Sequence, residues 1–239
     1  MMHASLFLVY IMLFVSISTS AQESIQLGKQ VWMKKNLTSK VFRNGDTILR
    51  AKTAEEWVKT GQSGIPAWCH YDNDGPNEDI HGILYNVHAV LDKRGLAPTG
   101  WHIPDVIEWK TLFAQYGGEN EAGFALISKK HWFVSEWNPP NDVPPSGFEA
   151  FGSGVRDNQG NFSGKEHVAG FFTVNNETLP MAHKISESSD DGEINMEISA
   201  ELKWVIEGIE VYMLNNITTM IGKYALQGNE GYSVRCIKD

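Results

Sequence analysis

The pattern of hydrophobic and polar residues predicts strands at both ends of the chain. In residues 28–37, Val31 and Met33 point to one side and Trp32 to the other, which is typical of a strand. Residues 231–237 (GYSVRCI) predict a closing strand. Because helices are predicted in the first half with no regular strand–helix–strand alternation, the pattern indicates an α+β fold, not a doubly wound sheet.

Capping signals mark the beginnings of two helices. Thr53 is followed three residues later by Glu56, and Asp105 by Glu108, and both pairs have the spacing of a capping box. The helix after Asp105 carries an apolar face and is expected to end at Gly117-Gly118. Shorter helices are predicted over residues 82–91 and 121–128.

The second half of the chain is predicted to be rich in loops. Pro139-Pro140, Pro144-Pro145 and recurrent glycines interrupt residues 132–170, which excludes long regular elements there. Residues 194–214 mix helical and strand spacing, and the pattern decides for neither. The length is consistent with one large domain or two small ones.

Residues 1–21 are predicted to be a signal peptide. The apolar run over residues 6–17 is too short for a bilayer span, and small residues at positions 19–21 suit a cleavage site. No Lys or Arg precedes the run, so a buried N-terminal strand or an uncleaved anchor is the alternative. We therefore expect a secreted, periplasmic or outer-surface protein with no membrane span after cleavage.

Charge and composition limit the classes of partner. The chain has 239 residues, of which 42% are hydrophobic, which is sufficient for a folded core. Its 20 basic and 29 acidic residues give a formal net charge of −9, without a basic cluster. Since nucleic-acid binding needs a basic face, no nucleic-acid partner is expected.

The two cysteines, Cys69 and Cys236, are expected to form a disulfide bond. Disulfides persist in exported proteins, and one bridge here would tie the last predicted strand to the first third of the chain. Two free buried thiols are the alternative.

Candidate sites are sparse. A calcium site is predicted in one polar loop, since calcium prefers oxygen ligands, with a solvated turn as the alternative: its residues are Asp72, Asp74, Glu78 and Asp79. Aromatic rings of the glycine- and proline-rich region are candidate ligand contacts, with core packing as the alternative: Trp132, Trp137, Phe148 and Phe162. No nucleophile motif and no zinc spacing is present, so no catalytic residue is assigned.

Several segments resemble a known family in their order and spacing. They are VWMKKNL (31–37), AWCHYDND (67–74), GILYNVHAV (82–90), GLAPTGWHIPDVIEWKTL (95–112), SGFEAFGSGVRDNQGNF (146–162) and GYSVRCIKD (231–239). Together they make the chain resemble the Fibrobacter succinogenes major paralogous domain (FISUMP) family. Residues 173–230 contain no recognisable family segment.

The resemblance implies a single compact C-type-lectin-like domain over residues 22–239, with its N- and C-terminal strands paired. This fold is more distantly similar to the formylglycine-generating enzyme, and the family implies an exported protein of the Bacteroidota and Fibrobacter type. It brings no established catalytic residues. No cofactor is expected apart from the calcium that the polar loop of Asp72 to Asp79 could bind. We therefore expect a non-enzymatic surface or periplasmic module that binds glycan or cell-envelope protein. An enzyme related to the formylglycine-generating fold, or a structural envelope component without a small ligand, is the alternative.

Overall fold

The structure is a computed structural model that describes residues 22–76, 78–134, 143–175 and 209–239. The predicted signal peptide (1–21), Trp137 and residues 194–208 of the undecided segment lie outside these described residues.

The strands are short and distributed over the whole described chain. In chain order they are β1 Ser24–Leu27, β2 Gln30–Met33, β3 Leu49–Arg50, β4 Ala67–Cys69, β5 Leu84–Asn86, β6 Trp101–His102, β7 Ser153–Arg156, β8 Phe162–Lys165, β9 Val168–Thr173, β10 Glu210–Asn215, β11 Gly222–Ala225, β12 Gly231–Tyr232 and β13 Ile237–Lys238.

The first sheet joins the two ends of the domain. Its strand order is β1-β2-β13-β6, and Ile237 of β13 lies opposite both Trp32 of β2 and His102 of β6. All of these pairs are antiparallel. The predicted pairing of the N- and C-terminal strands in an α+β domain is therefore confirmed.

The second sheet places the ends of strands from distant parts of the chain side by side. Its order is β11-β10-β9-β7-β12-β5-β4-β3, with β8 paired to β7. Strand β12 lies between β5 and β7, because Gly231 is opposite both Asn86 and Arg156. Asn86 ends β5, Arg156 ends β7 and Gly231 begins β12, so the segments that follow or precede them emerge side by side.

The helices in the described part of the chain are α1 Ala54–Gln62, α2 Glu78–His81, α3 Val87–Val90, α4 Val106–Ala114 and α5 Gly123–Leu126, with a 3-10 turn at Tyr71–Asn73. Two of these helices, α1 and α4, begin where the capping signals predicted. Thr53 caps α1, and Asp105 with Glu108 forms a complete capping box on α4. None of the helices in the described part of the chain is both long and apolar enough to cross a bilayer.

Two segments differ from the sequence prediction. The helix expected over residues 82–91 begins as strand β5, and only Val87–Val90 is helical. The reason is tertiary: β5 pairs with β4 and β12, and the Asn86 side chain then caps α3 by accepting a bond from the Ala89 amide. The loop-rich stretch over residues 132–170 also contains β7, β8 and the start of β9, which its glycines did not predict. In the undecided segment, residues 210–214 belong to β10.

His102 connects the first sheet to helix α4 and to the last residue. Its ring nitrogens lie 2.9 Å from Glu108 Oε1 and 2.8 Å from Asp239 Oδ1. The hydrogen bond to Glu108, with that to Asp239, raises the pKa of His102 from its ordinary 6.5 to about 9, against the opposing effect of burial. The imidazolium is therefore favoured in the folded protein.

Replacing His102 with glutamine is expected to destabilise the protein more at about pH 6 than at about pH 10. Because the folded pKa is raised, the stabilisation is complete below 6.5 and disappears as pH rises through about 9. Denaturant unfolding of both proteins at the two pH values measures this difference. An equal difference at both values would contradict the assignment.

Candidate functional site

A groove of about 450 Å³ opens where the ends of β5, β7 and β12 meet. We call it the amide groove. Its lining comes from α1, α3 and the turns that follow β7 and precede β12: Val58, Gly61, Gln62, His88, Asn158, Gln159, Gly228 and Asn229. Ligand pockets in proteins have volumes of about 300–1,000 Å³, so the groove is large enough for a small ligand.

The lining of the amide groove is uncharged. It contains no Asp, Glu, Lys or Arg, and its polar side chains are four amides and the imidazole of His88. Burial lowers the pKa of His88, while a hydrogen bond to the Gly61 backbone partly opposes that shift. His88 is therefore neutral at pH 7, and the lining provides hydrogen bonds without a formal charge.

Trp57 holds the two turns of the groove against α1. Its Nε1 donates to the backbone carbonyls of Asp157 (3.1 Å) and Asn229 (2.8 Å). The Asp157 carboxylate organises its own turn by accepting bonds from the Gln159 and Asn161 amides at 2.9 and 2.8 Å. The groove walls are thus positioned by hydrogen bonds from Trp57 and Asp157.

Asn229 is packed directly against the last turn of α1. Its Nδ2 donates to the Trp57 carbonyl at 2.8 Å, and a Cβ at Gly61 would overlap its side chain. Glycine at position 61 is therefore required for this approach. The Oδ1 atom of Asn229 is buried and has no hydrogen-bond partner among the described residues, which is unusual for a buried acceptor.

The other amides of the groove have free hydrogen-bonding capacity. Gln62 and Gln159 are exposed, and within the described ranges neither side chain makes a hydrogen bond. Asn158 donates from Nδ2 to the Gln227 carbonyl at 3.2 Å, which leaves its Oδ1 free within the same ranges. Several unused polar groups therefore converge on one cavity.

A second pocket is polar but much smaller. It has a volume of about 10 Å³, enough for about one water molecule. Its lining includes Tyr71, Glu78, Lys165 and His81, whose buried Nδ1 has no partner among the described residues. Since it is too small for a sugar ring, this pocket is not the candidate ligand site.

A family model for the Fibrobacter succinogenes major domain matches residues 25–238. The chain belongs to this family. The matched region contains every residue that lines the amide groove. No curated protein and no solved structure matches the chain. Membership of the Fibrobacter succinogenes major domain family therefore confirms the resemblance seen in the sequence, while the lectin-like relationship stays a prediction.

In the loop predicted to bind calcium, Glu78 contacts two basic side chains. Glu78 lies 2.8 Å from Lys40 Nζ and 2.6 Å from His70 Nε2, and these contacts lower the pKa of Glu78 although burial opposes them. The remaining carboxylates of the loop are exposed: Asp72, Asp74 and Asp79. Across the described ranges, no group of three or more His, Cys, Asp or Glu side chains is arranged to hold a metal ion. The calcium site stays a prediction without that geometric support.

Two of the aromatic residues predicted as ligand contacts belong to the core. Phe148 is fully buried, and Trp132 is 8% exposed with its Nε1 donating to the Ala150 carbonyl. Neither ring is available for stacking on a ligand, which corrects that prediction in favour of core packing. Phe162 is half-buried against Tyr71, and Trp137 lies outside the described residues.

The predicted disulfide bond between Cys69 and Cys236 is not formed. Both are free, buried thiols. They belong to different core clusters: Cys69 packs with Trp57 and Ala67, and Cys236 belongs to the cluster that contains Tyr85. Burial raises the pKa of Cys69 to about 11 and that of Cys236 still further, so both remain protonated thiols at neutral pH.

Sequence reasoning did not find the amide groove, because its residues are far apart in the chain. The available signals were two turn sequences, DNQG (157–160) and QGNEG (227–231). Such sequences predict turns, but the fact that these turns face each other follows only from the position of β12 between β5 and β7.

Proposed function

We propose that this protein is a non-enzymatic binding module that takes a glycan in the amide groove, at the cell surface or in the periplasm. The observation that carries the proposal is the uncharged, amide-rich lining of a cavity of about 450 Å³. Amides and a neutral imidazole can both donate and accept hydrogen bonds, which matches the hydroxyl groups of a sugar. A lectin-like relationship is part of the same proposal.

The buried thiols argue against the enzyme alternative. Chemistry of the formylglycine-generating type uses reactive cysteines that lie close together, whereas Cys69 and Cys236 are buried in separate clusters with raised pKa values. The thiolate is the reactive form, and burial disfavours it here.

A glycan array probed with the purified protein tests the proposal, and a double Gln62→Ala/Gln159→Ala variant locates the site. We expect the variant to bind roughly tenfold more weakly, because two side chains that each contribute about 0.5–1.5 kcal/mol are lost. Both glutamines are exposed and make no side-chain hydrogen bond in the described ranges, so the melting temperature should not change.

Gln22→Ala is the matched control, since Gln22 is an exposed glutamine outside the groove. Binding should survive a chelator, because no carboxylate lines the groove. Binding that disappears in chelator would instead favour the loop of Asp72 to Asp79. An array without any binder, or an unchanged affinity of the double variant, would contradict the proposal.

A further inference from the structure

His70 is a buried histidine whose two ring nitrogens contact groups of opposite charge. Its Nε2 lies 2.6 Å from Glu78 Oε2, and its Nδ1 lies 3.1 Å from Arg50 Nη2. The imidazole also meets the ring of Trp68 edge-on. His70 follows β4, Arg50 ends β3 and Glu78 begins α2, so this side chain connects three elements of the fold.

The two contacts together assign the proton of the imidazole. A guanidinium has donors and no acceptor, so Arg50 can bond to His70 only if Nδ1 carries no proton. The single N–H is then on Nε2, where it donates to Glu78. Although burial raises the pKa of Glu78, its bonds to His70 and Lys40 lower that pKa from its ordinary 4.5, so the carboxylate is ionised at neutral pH. In this arrangement His70 is a neutral imidazole.

A second proton on His70 would break its bond to Arg50. The proton can enter only at Nδ1, which would then turn an N–H towards another N–H and bring two positive charges within 3.1 Å of each other. The bond to Glu78 would become an ion pair, so the ring would stay in place and the guanidinium would leave. Arg50 is otherwise weakly held: Nη2 donates to the Asn73 carbonyl at 3.3 Å, and Nε is buried without a partner among the described residues.

The other charged groups around His70 belong to the loop and to its neighbours. Lys40 Nζ lies 2.8 Å from Glu78 Oε2, and both Lys40 and Arg50 lie over the Trp68 ring. The second, smaller pocket adds further titratable groups on another side of Glu78: Tyr71, Asp74, His81 and Lys165. The group that a second proton on His70 would attract is therefore Glu78, and the group that it would repel is Arg50.

The Tyr71–Asn73 turn that Arg50 holds has a strained backbone. Asp72 and Asn73 have φ angles of 52° and 57°, a conformation that costs energy for residues other than glycine. The chain also passes close to the imidazole, because a Cβ at Gly75 would lie 3.3 Å from the ring of His70. When Arg50 leaves, the turn loses a bond that keeps it in this conformation, and opening is favoured.

We propose that His70 is a proton switch, which joins Arg50 of β3 to the Tyr71–Asn73 turn at neutral pH and separates them in mild acid. Opening exposes the turn and the smaller pocket beside it, which is lined by Tyr71 and Glu78. None of these residues lines the amide groove, so the switch does not depend on the proposed function.

Nitrogen NMR of the imidazole rings tests the position of the proton in the wild-type protein. We expect His70 to carry one proton, on Nε2, at about pH 7.5 and a second, on Nδ1, at about pH 5. Over this range the hydrogen-exchange protection factors of the Asn73 and Asp74 amides, which donate within the turn, should fall roughly tenfold. The Phe172 amide in β9 is the internal reference and should keep its protection.

His70→Gln is the switch variant, because glutamine can still donate to Glu78 but gains no proton in this pH range. Its two turn amides should keep the same protection at both pH values. His167→Gln is the matched control, since His167 is exposed and stacks on Phe133, and it should respond to pH as the wild type does.

Arg50→Ala removes the group that the proton displaces, so its turn amides should have the low protection of the acid state already at neutral pH. A proton on Nδ1 of His70 at neutral pH, or equal protection of the wild-type turn amides at both pH values, would overturn the proposal. So would a pH response in His70→Gln equal to that of the wild type, or unchanged protection in Arg50→Ala.

Discussion

Replacing Asn36 with alanine is expected to lower the free energy of unfolding by about 3–5 kcal/mol. Asn36 is buried, and its Oδ1 accepts from Arg235 Nε at 3.1 Å and from a second guanidinium nitrogen of Arg235 at 2.6 Å. Its Nδ2 is within hydrogen-bonding distance of the His81 carbonyl and of the hydroxyls of Ser153 and Ser233. One amide therefore connects four distant segments.

The size of this effect follows from the burial of Arg235. The guanidinium is fully buried and forms no salt bridge within the described ranges, and burial lowers its pKa to about 9 although the charge of Glu149 opposes the shift. Without Asn36, its main remaining supports are the Phe148 carbonyl and the rings of Phe148 and Phe171. A buried charge that loses its acceptor is among the largest single-residue penalties in proteins.

Denaturant unfolding of the Asn36→Ala variant measures this loss. Asn120→Ala is the control, because Asn120 is exposed and its side chain makes no hydrogen bond in the described part of the chain. The control should remain within about 0.5 kcal/mol of wild type. A loss below about 1 kcal/mol at Asn36 would show that water replaces the amide, and would contradict the prediction.

The second large effect is expected at Trp109, whose replacement with alanine should cost about 3–5 kcal/mol. Trp109 is fully buried on α4 at the centre of an aromatic cluster. Its ring centroid lies within 4.8–5.8 Å of the rings of Trp32, Phe113, Phe148, Phe171 and Tyr212. Alanine would leave a cavity that these rings can fill only in part.

Trp109→Phe should cost much less, about 1–2 kcal/mol. The Nε1 of Trp109 is buried without a hydrogen-bond partner among the described residues, so phenylalanine keeps a ring in the cluster and removes an unsatisfied donor. Phe133→Ala is the aromatic control, because that ring is 51% exposed. Equal losses for the alanine and phenylalanine variants would contradict the prediction, because the ring that phenylalanine keeps would then contribute nothing to stability.

Local signals predicted the helix starts and the two terminal strands well, while the pairing of those strands was expected from the family resemblance. Capping chemistry at Thr53 and Asp105 depends on residues three apart, and alternation around Trp32 depends on nearest neighbours, so both can be seen in the sequence. Strand β5 shows the limit of such signals. Leu84–Asn86 has apolar spacing compatible with a helix, and its neighbours β4 and β12 decide in favour of a strand.

The predicted site residues show this limit of local sequence signals more strongly than the strands do. Composition marked Trp132 and Phe148 as ligand contacts and Cys69 and Cys236 as a bridge, but burial and separate core clusters decided otherwise. Exposure and pairing are properties of the packed chain, and no local pattern encodes them. Uncharged amides in turns are common, so Gln62, Asn158, Gln159 and Asn229 drew no attention in the sequence.

By itself, the sequence determined the α+β class, the family and the capped helices, because periodicity, capping and ordered family segments all act within short stretches of chain. Only the tertiary structure decided where the candidate site lies. The insertion of β12 between β5 and β7 brings turns some 70 residues apart onto one helix. Trp57 then donates hydrogen bonds to both turns, and the uncharged groove forms where the two turns pack against α1.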